Sequence, residues 1–581
     1  MNVTLSKIAI IAGDAELAEQ VCSRLRTRGE YLPLIEAPML RLVEYGVFDQ
    51  DCSRVRNVIR NLGVRTILCL KVPAEVLTKL CDGIPNFNWV TLDAFDEACL
   101  AKHVRMNRLA TKYQNLILKD AAHCTKDVFV IEGEMSLATV IGANLASAHG
   151  GRIAFVSAPT EDDLDLLKEE WRLWSNGSFE ERLEAKNALV GFLHSRLPAG
   201  LISSRAIKSV SFITEGLPYG LLPFTCPTTH FFSFPLLGLG VLAGMLKSQS
   251  LYRSLIAVLI DPALVGQSEF ESLGRILGEA GYVLRHAFGR NATAKFASYL
   301  TAYLPSDLIF FSTHCGEVKG QRVVERFPDR QGNLHTICYE RVLSGFHSPT
   351  EETDDHFEIM VMKRWISIDG VDWSDDARKE EIGAGDLLKD YIDYERNMDR
   401  STKKPDLISV TDSGRVSDSD SLGMHGDLSY LPMPHTVGGY HHPIVFNNAC
   451  SSWRALASRF SFGGASVYVG TTTDILGTSV GVATANKFVR DITLGHAAGA
   501  ALHRAQKSLT AELGYTPYLM SGYLYTRLDK PPVRQRESRA ALRILDAIKA
   551  AQREPPSPAR SGILRFLKDE LREFANMEVE S

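Results

Sequence analysis

The sequence predicts an α/β protein with a mostly parallel sheet that is sandwiched by helices. The first observation is that, from residue 254 onward, short apolar runs alternate with segments of helical periodicity. The second is that two of these apolar runs end in reactive side chains, His314 and Cys450. The third is size, because 581 residues of which 45% are hydrophobic suffice for several domains with substantial cores.

The predicted elements follow one another in a regular order. Strands are predicted over residues 255–261, 282–288, 307–311 and 444–447, within 463–474, and over 518–525. Helices are predicted over residues 269–280, 292–303, 454–460, 480–491 and 497–509. Such alternation is typical of strands joined by helical crossovers.

Cys450 follows the apolar run 444–446 and precedes two serines, so a buried strand would deliver its thiol to the edge of a sheet. Open α/β sheets bind substrates at that edge. His314 ends a similar run, and an imidazole beside a thiol takes its proton and stabilises the nucleophilic thiolate. Neighbouring parallel strands would make the two residues a Cys–His dyad. The competing interpretation is an inert buried thiol and a structural histidine.

These motifs together resemble the caspase-like (clan CD) cysteine peptidases, in particular their CHAT and gingipain-like branch. The resemblance rests on the His-bearing strand, on NNACSSW followed by FGGASVYVGTTTDI, and on AGAALHRAQKSL, which is similar to the closing helix of CHAT domains. An upstream stretch, residues 212–229, is similar to the Gly, Leu, Pro-Phe hairpin of that family. The resemblance covers about residues 209–528.

The resemblance implies a cysteine endopeptidase that hydrolyses a protein or peptide substrate. Cys450 would be the nucleophile and His314 the general base and acid, with the backbone N–H groups of Gly316 and Cys450 as oxyanion donors. Thr473 and Asp474 would border the pocket for the residue before the cut. A carboxylate of Asp474 facing that pocket would select Lys or Arg, whereas a helix N-cap or turn is the alternative role.

The chain departs from the family pattern at two points. Cys315 stands between the base and the glycine, where the family commonly has His-Gly, and a true His-Gly occurs at His425, which is the alternative base. The separation of His314 from Cys450 is too long for a loop, which predicts an insertion over residues 320–435. Within it, 357–368 is predicted as a strand that extends the sheet or forms a hairpin with 336–343.

Two polar stretches of the insertion, residues 372–381 and 412–421, have the composition of mobile surface loops. In the clan, such loops close over the site or are cut by the enzyme itself. Arg415 is therefore a candidate self-cleavage site, and a solvated loop without a role is the alternative.

The domain organisation follows from these assignments. Residues 1–125 are expected to form a Rossmann-like or receiver-like α/β domain that senses or docks a signal. Residues 126–250 would be a degenerate first half of the CHAT-like region, residues 251–530 the caspase-like peptidase domain, and residues 531–581 a C-terminal helical arm.

Net charge and cysteine spacing indicate which partners and cofactors to expect. A net charge of −5, from 64 basic and 69 acidic residues, gives no reason to expect direct nucleic-acid or membrane binding. Ten cysteines without a CxxC pair indicate reduced thiols in a cytoplasmic protein with no metal and no cofactor. A protein or small-molecule signal at the N-terminal domain would regulate the enzyme, as in bacterial signalling or anti-phage defence. The alternatives are a non-catalytic caspase-like sensor or scaffold and a different thiol enzyme, an acyltransferase or amidase.

Overall fold

A computed structural model describes most of the chain. The described residues are 3–39, 47–84, 86–103, 118, 124–233, 236–248, 253–264, 269–347, 357–397, 406–416, 419–426, 428–432, 436–473, 479–528, 536–553 and 558–580. Three sheets of four, ten and eight strands form the body of the protein, and a two-stranded pair lies beside the first of them.

The strands, in chain order, are β1 (Thr4–Leu5), β2 (Ile8–Ala12), β3 (Glu30–Tyr31), β4 (Leu34–Glu36), β5 (Thr66–Leu70), β6 (Asn88–Leu92), β7 (Val128–Glu132), β8 (Arg152–Val156), β9 (Val210–Thr214), β10 (Thr228–Phe232), β11 (Ile256–Asp261), β12 (Val283–Phe288), β13 (Leu308–Phe311), β14 (Cys315–Gly316), β15 (Lys319–Pro328), β16 (Leu334–His347), β17 (Phe357–Ile368), β18 (Val371–Asp372), β19 (Asp406–Arg415), β20 (Ser421–Leu422), β21 (Ser429–Tyr430), β22 (Ile444–Asn447), β23 (Val467–Thr471) and β24 (Tyr518–Gly522).

The helices are α1 (Ala15–Leu25), α2 (Val47–Leu62), α3 (Ala74–Gly83), α4 (Glu97–His103), α5 (Leu137–His149), α6 (Glu161–Asn176), α7 (Phe179–Ser195), α8 (Leu237–Lys247), α9 (Phe270–Glu279), α10 (Ala294–Tyr303), α11 (Asp376–Glu381), α12 (Ala384–Asn397), α13 (Ser452–Phe462), α14 (Ser479–Thr493), α15 (Ala498–Leu513), α16 (Arg536–Arg553) and α17 (Pro558–Glu580).

The ten-stranded sheet has the order β12-β11-β13-β22-β23-β24-β10-β9-β7-β8. Its first five strands are mutually parallel, and so are its last five, but β23 and β24 pair antiparallel. The sheet therefore consists of two parallel halves that run in opposite directions. The predicted α/β class and mostly parallel sheet are confirmed. The last strand, predicted to reach residue 525, ends at Gly522.

Helices cover both faces of the half that carries His314 and Cys450. Alternate strand residues divide between two cores: Phe310 and Phe446 pack with α9, α14 and α15, whereas Phe311 and Val445 pack with α10 and α13. Strands buried on both faces read as continuous apolar runs, which is why these strands were predictable from the sequence.

The insertion forms most of a separate sheet whose strands are antiparallel except where β16 pairs with β21. β16 and β17 pair as a hairpin, with His347 opposite Phe357, so the predicted hairpin is confirmed. The prediction of loops was wrong for most of residues 372–381 and, in the second stretch, for residues 412–415 and 421. Residues 376–381 form α11, and residues 412–415 belong to β19, which pairs with β15 and ends at the exposed Arg415. An exposed edge strand needs no apolar alternation, so its composition resembles that of a loop.

The N-terminal region forms a parallel sheet of order β4-β2-β5-β6 with helices around it, as an α/β domain would. It shares one hydrophobic core with α5 and α8, which lie against the ten-stranded sheet. At Gly238 the backbone of α8 approaches so closely that a Cβ would lie 2.2 Å from the carbonyl oxygen of Leu34. Glu36 accepts a hydrogen bond from the Gly238 N–H at 2.9 Å. The domain is thus joined to the sheet by packing as well as by the chain.

The two C-terminal helices pack back on the sheet half that carries the candidate site. Ile544 of α16 and Phe574 of α17 are buried in the core that also contains α10. Glu570 of α17 accepts two hydrogen bonds from the guanidinium of Arg285 on β12, both at 2.8 Å. Among the described helices, none combines the length and apolarity needed to span a bilayer.

Buried neutral His230 makes the stability of the fold dependent on pH. Its Nε2 accepts the Gly220 N–H at 3.0 Å, so Nδ1 carries the proton and donates it to the carbonyl oxygen of Met520. Burial lowers the pKa of His230 from 6.5 to about 4. Between pH 4 and pH 6.5 the unfolded chain therefore binds more protons at this residue than the folded protein does. The contribution of His230 to the free energy of unfolding is fully present above pH 6.5 and falls by roughly 3 kcal/mol as the pH decreases towards 4.

We expect the stability difference between wild type and His230→Gln to shrink as the pH falls from 7.5 to 5, because only wild type has this imidazole to protonate. Urea unfolding of both proteins at the two pH values measures the difference. An equal difference at both would show that His230 does not titrate in this way.

Candidate active site

His314 and Cys450 follow two strands that are hydrogen-bonded neighbours. β13 and β22 are parallel and in register, with Phe311 opposite Asn447. Each candidate residue comes three positions after its member of that pair, at the carboxyl edge of the sheet. Adjacent strands lie about 4.8 Å apart. The structure therefore brings the two chain segments to one place, as the sequence predicted.

Cys450 lies in a sharp turn between β22 and α13. The next residue, Ser451, has φ of 49° and ψ of 19°, a left-handed conformation that is unfavourable for a residue with a Cβ. The turn is held by hydrogen bonds from the Ser452 N–H to the carbonyl oxygen of Ala449 at 3.3 Å and from the Thr471 hydroxyl to that same oxygen at 2.5 Å. The half-buried thiol thus stands directly before the N-terminus of a helix, and the positive end of a helix dipole favours a thiolate.

The imidazole of His314 is exposed and oriented by a backbone carbonyl. Its Nε2 lies 3.2 Å from the carbonyl oxygen of Leu264, in the loop after β11. A carbonyl only accepts, so Nε2 carries the proton in the neutral ring and Nδ1 is the basic nitrogen. Two hydrogen bonds with Gly423 fix the backbone and side chain next to this imidazole. The Gly423 N–H donates to the His314 carbonyl oxygen at 2.8 Å, and the Gly423 carbonyl oxygen accepts from the Thr313 hydroxyl.

A buried polar network lies beneath the two candidate residues. Glu269, at the N-terminus of α9, accepts hydrogen bonds from the Ser312 hydroxyl at 3.0 Å and from the Asn448 amide at 2.9 Å. Asn448 accepts from the Tyr518 hydroxyl at 2.6 Å. Ser312 and Asn448 each lie two residues before a candidate residue. The network therefore fixes both strand ends relative to one another.

The buried position of the network raises the pKa values of two of its acidic groups. Burial raises the pKa of the Glu269 carboxyl, although its hydrogen bonds to Asn448 and Ser312 oppose that shift. Burial also raises the pKa of Tyr518, and the charges of Glu269 and Cys450 add to it. Sequence analysis did not find Leu264, Glu269 or Tyr518, because their partners lie far away along the chain. The single signal was Asn448 itself, a polar residue that directly follows a buried strand.

The surroundings of Cys315 disfavour its thiolate. Burial raises its pKa well above the ordinary value for a thiol, and the charges of Asp420 and Cys450 raise it further. A thiol in such surroundings stays protonated and unreactive at neutral pH. Cys315, which separates His314 from Gly316, is therefore expected to be a poor nucleophile.

The other predicted site residues have different outcomes. Gly316 belongs to β14 and pairs with Ser421, two residues past His314. Thr473 is buried beside the cysteine turn: its carbonyl oxygen accepts from the Ser451 N–H at 3.4 Å, and its hydroxyl lies 3.2 Å from that of Tyr515. Asp474 lies outside the described residues. Their proposed roles stay predictions.

His425, the alternative base, is exposed and follows β20 of the insertion sheet. It does not follow a strand of the ten-stranded sheet. The pairing of β13 with β22, which brings the segments of His314 and Cys450 together, therefore does not position His425. Within the described parts of the chain, no three His, Cys, Asp or Glu side chains are placed to hold a metal ion. No protein-family model matches the sequence, and no curated protein matches it either.

Proposed function

We propose that the protein is a cysteine endopeptidase whose nucleophile is Cys450 and whose general base and acid is His314. The observation that carries the proposal is the in-register pairing of β13 with β22, since it puts an imidazole-bearing and a thiol-bearing segment at one carboxyl edge. A buried scaffolding role would require neither group to reach an edge. The imidazole is also exposed, so it is accessible to a substrate, as a general base must be.

In the proposed reaction, Nδ1 of His314 takes the thiol proton and Sγ of Cys450 attacks the peptide carbonyl carbon, forming a C–S bond. The oxyanion accepts hydrogen bonds from the N–H groups of Gly316 and Cys450. The imidazolium then protonates the amine as the C–N bond breaks. Water, deprotonated by the same imidazole, cleaves the thioester and regenerates the thiol. This acyl transfer requires no metal and no redox cofactor.

Strand order gives further support to a caspase-like site. Numbered in chain order from β11, the half that carries the dyad has the order 2-1-3-4-5, with β24 added antiparallel as a sixth strand. Open sheets of this order bind ligands where the order reverses, which here is between β11 and β13. Leu264 and Glu269 follow β11 and contact His314 and Asn448, so both sides of that crevice contribute to the candidate site.

The substrate and regulation remain parts of the proposal. Thr473 lies next to the cysteine turn and Asp474 follows it in the sequence. If the carboxylate of Asp474 faces the substrate, it would select Lys or Arg before the cut. Arg415, the candidate self-cleavage site, is exposed at the end of β19 but pairs with Lys319, so a cut there requires the end of this edge strand to open first. The shared core between the N-terminal domain and α8 gives a signal bound there a mechanical route to the sheet. Cytoplasmic signalling or anti-phage defence is the expected setting.

The test uses peptide acyloxymethyl ketones, which react with catalytic thiols, with Lys, Arg, Asp or Leu at the terminal position. We expect the Lys and Arg probes to label wild type at Cys450, as located by peptide mapping, because the peptide aligns the electrophile with the thiolate. His314→Ala should label at least about tenfold more slowly.

Cys315→Ala, which removes the neighbouring thiol, serves as the matched control and should label like wild type. Labelling that does not depend on His314, or that spreads over several cysteines at equal rates, would contradict the peptidase assignment. Labelling by the Asp or Leu probe alone would retain the dyad but overturn the role proposed for Asp474.

A further inference from the structure

A pocket of about 560 Å³ opens beside α15, at the amino ends of β10 and β24. Because these two strands run opposite to β22 and β23, their amino ends lie at the same sheet edge as the candidate dyad. Tyr518 belongs both to the pocket wall and to the network that holds Asn448. The proposed peptidase mechanism uses no other residue of this pocket.

The pocket is lined by basic side chains and by no acidic ones among its described residues. Arg205, His503 and Lys507 line it, and no Asp or Glu is among its described lining residues. Burial lowers the pKa of His503, and the positive charges of Lys507 and Arg504 lower it further. Like charges gathered in a concave site oppose one another unless an anion enters, and the concave shape concentrates their field.

The remaining lining chemistry suits phosphate. Thr228 and Thr510 contribute hydroxyl groups, which complement the acceptor oxygens of a phosphoryl group, while Phe224 contributes an aromatic surface. The volume lies within the range of pockets that enclose metabolites of nucleotide size. A peptide Asp or Glu would need a single cation, whereas the two cations Arg205 and Lys507 match the multiple charges of a polyphosphate, which would also favour protonation of His503.

We propose that this pocket is a binding site for a phosphate-bearing small molecule of nucleotide size. Arg205 and Lys507 contact its phosphates, and His503 binds them in its protonated form. The site is independent of the proposed peptidase activity, because it can bind whether or not Cys450 is a nucleophile.

Isothermal titration of the full chain with ATP, inorganic pyrophosphate and adenosine tests the proposal, in about 0.15 M salt to screen diffuse attraction. We expect saturable binding of one ATP per chain and none of adenosine. Pyrophosphate binding as well would assign the affinity to the phosphates alone, whereas binding of ATP without pyrophosphate would show that the nucleoside contributes to affinity. The double variant Arg205→Gln/Lys507→Gln should weaken ATP binding by about tenfold or more, since two charge-assisted contacts are lost.

The matched control is Lys208→Gln/Lys487→Gln, which removes two basic residues that are also exposed but lie outside the pocket. It should bind ATP as wild type does. The proposal is overturned if neither ATP nor pyrophosphate binds at millimolar concentration, or if the two double variants weaken binding equally. All four substitutions are at exposed positions, so folding of the variants is expected and is verified by their melting temperatures.

Discussion

His314→Ala is expected to slow the alkylation of Cys450 by iodoacetamide at pH 6.5 by about tenfold or more. An ordinary thiol is roughly 1% ionised at that pH, whereas a thiol paired with an imidazole exists largely as the reactive thiolate. The gain in rate is smaller than the gain in thiolate population, because a more acidic thiol is a weaker nucleophile. Intact mass with peptide mapping, followed over time between pH 5.5 and 9, gives the rate at each cysteine.

His425→Ala is the matched control, because it removes the other candidate base, which is likewise an exposed histidine and is followed directly by a glycine. Its rate profile should coincide with that of wild type. Cys315 provides an internal reference in every sample, since burial raises its pKa and should keep it slow. If Cys450 reacts at the same rate in His314→Ala as in wild type at pH 6.5, the two residues do not form a dyad.

The two candidate residues could be found from the sequence because each follows an apolar run that forms a strand buried on both faces. A reactive side chain directly after such a run must lie at a sheet edge. The sequence did not specify that β13 and β22 are neighbours, because this pairing joins segments that the whole insertion separates. The dyad hypothesis assumed that pairing as its condition, and the register of the strands shows it.

The supporting network was beyond sequence analysis for the same physical reason. Glu269 lies 179 residues from Asn448 and Tyr518 lies 70 residues from it. Nothing in the local pattern marks Glu269, which reads as an ordinary helix-starting carboxylate. Its burial, and hence its raised pKa, arises only when three strands and a helix converge.

The insertion was misread where solvent exposure removes the usual strand signal. β16 and β17 alternate apolar and polar residues over a small core, so their hairpin was predictable. β19 lies at the edge of that sheet with nearly every residue exposed, and polar residues are tolerated there on both faces. Composition distinguishes buried from exposed chain more reliably than it distinguishes strand from loop.

The fold also depends on a buried ion pair at the amino ends of the central strands. Lys247 of α8 and Asp307, which precedes β13, have no exposed side-chain surface. Lys247 Nζ also donates to the carbonyl oxygen of His441 at 2.9 Å, while Asp307 accepts the N–H groups of Ser254 and Leu255, both at 3.0 Å. The pair thus joins α8 to the starts of β11, β13 and β22. Despite burial, the charges of Lys247 and Arg253 keep the pKa of Asp307 below its ordinary value.

Lys247→Met is expected to reduce the free energy of unfolding by about 3–5 kcal/mol, because it leaves the Asp307 carboxylate buried without its cation. Asp307→Asn should cost a similar amount, since it leaves the ammonium without its anion. The double variant should lose clearly less than the sum of the two, as no uncompensated charge remains in it. Urea unfolding followed by circular dichroism measures all three.

The control is Lys389→Met, which breaks an exposed ion pair with Asp386 and should change stability by less than about 1 kcal/mol. If the losses in the double variant are additive, the two side chains stabilise the fold by packing alone and not by their mutual charge. If Lys247→Met and Lys389→Met reduce the free energy of unfolding equally, the buried ion pair is no more important to stability than an exposed one.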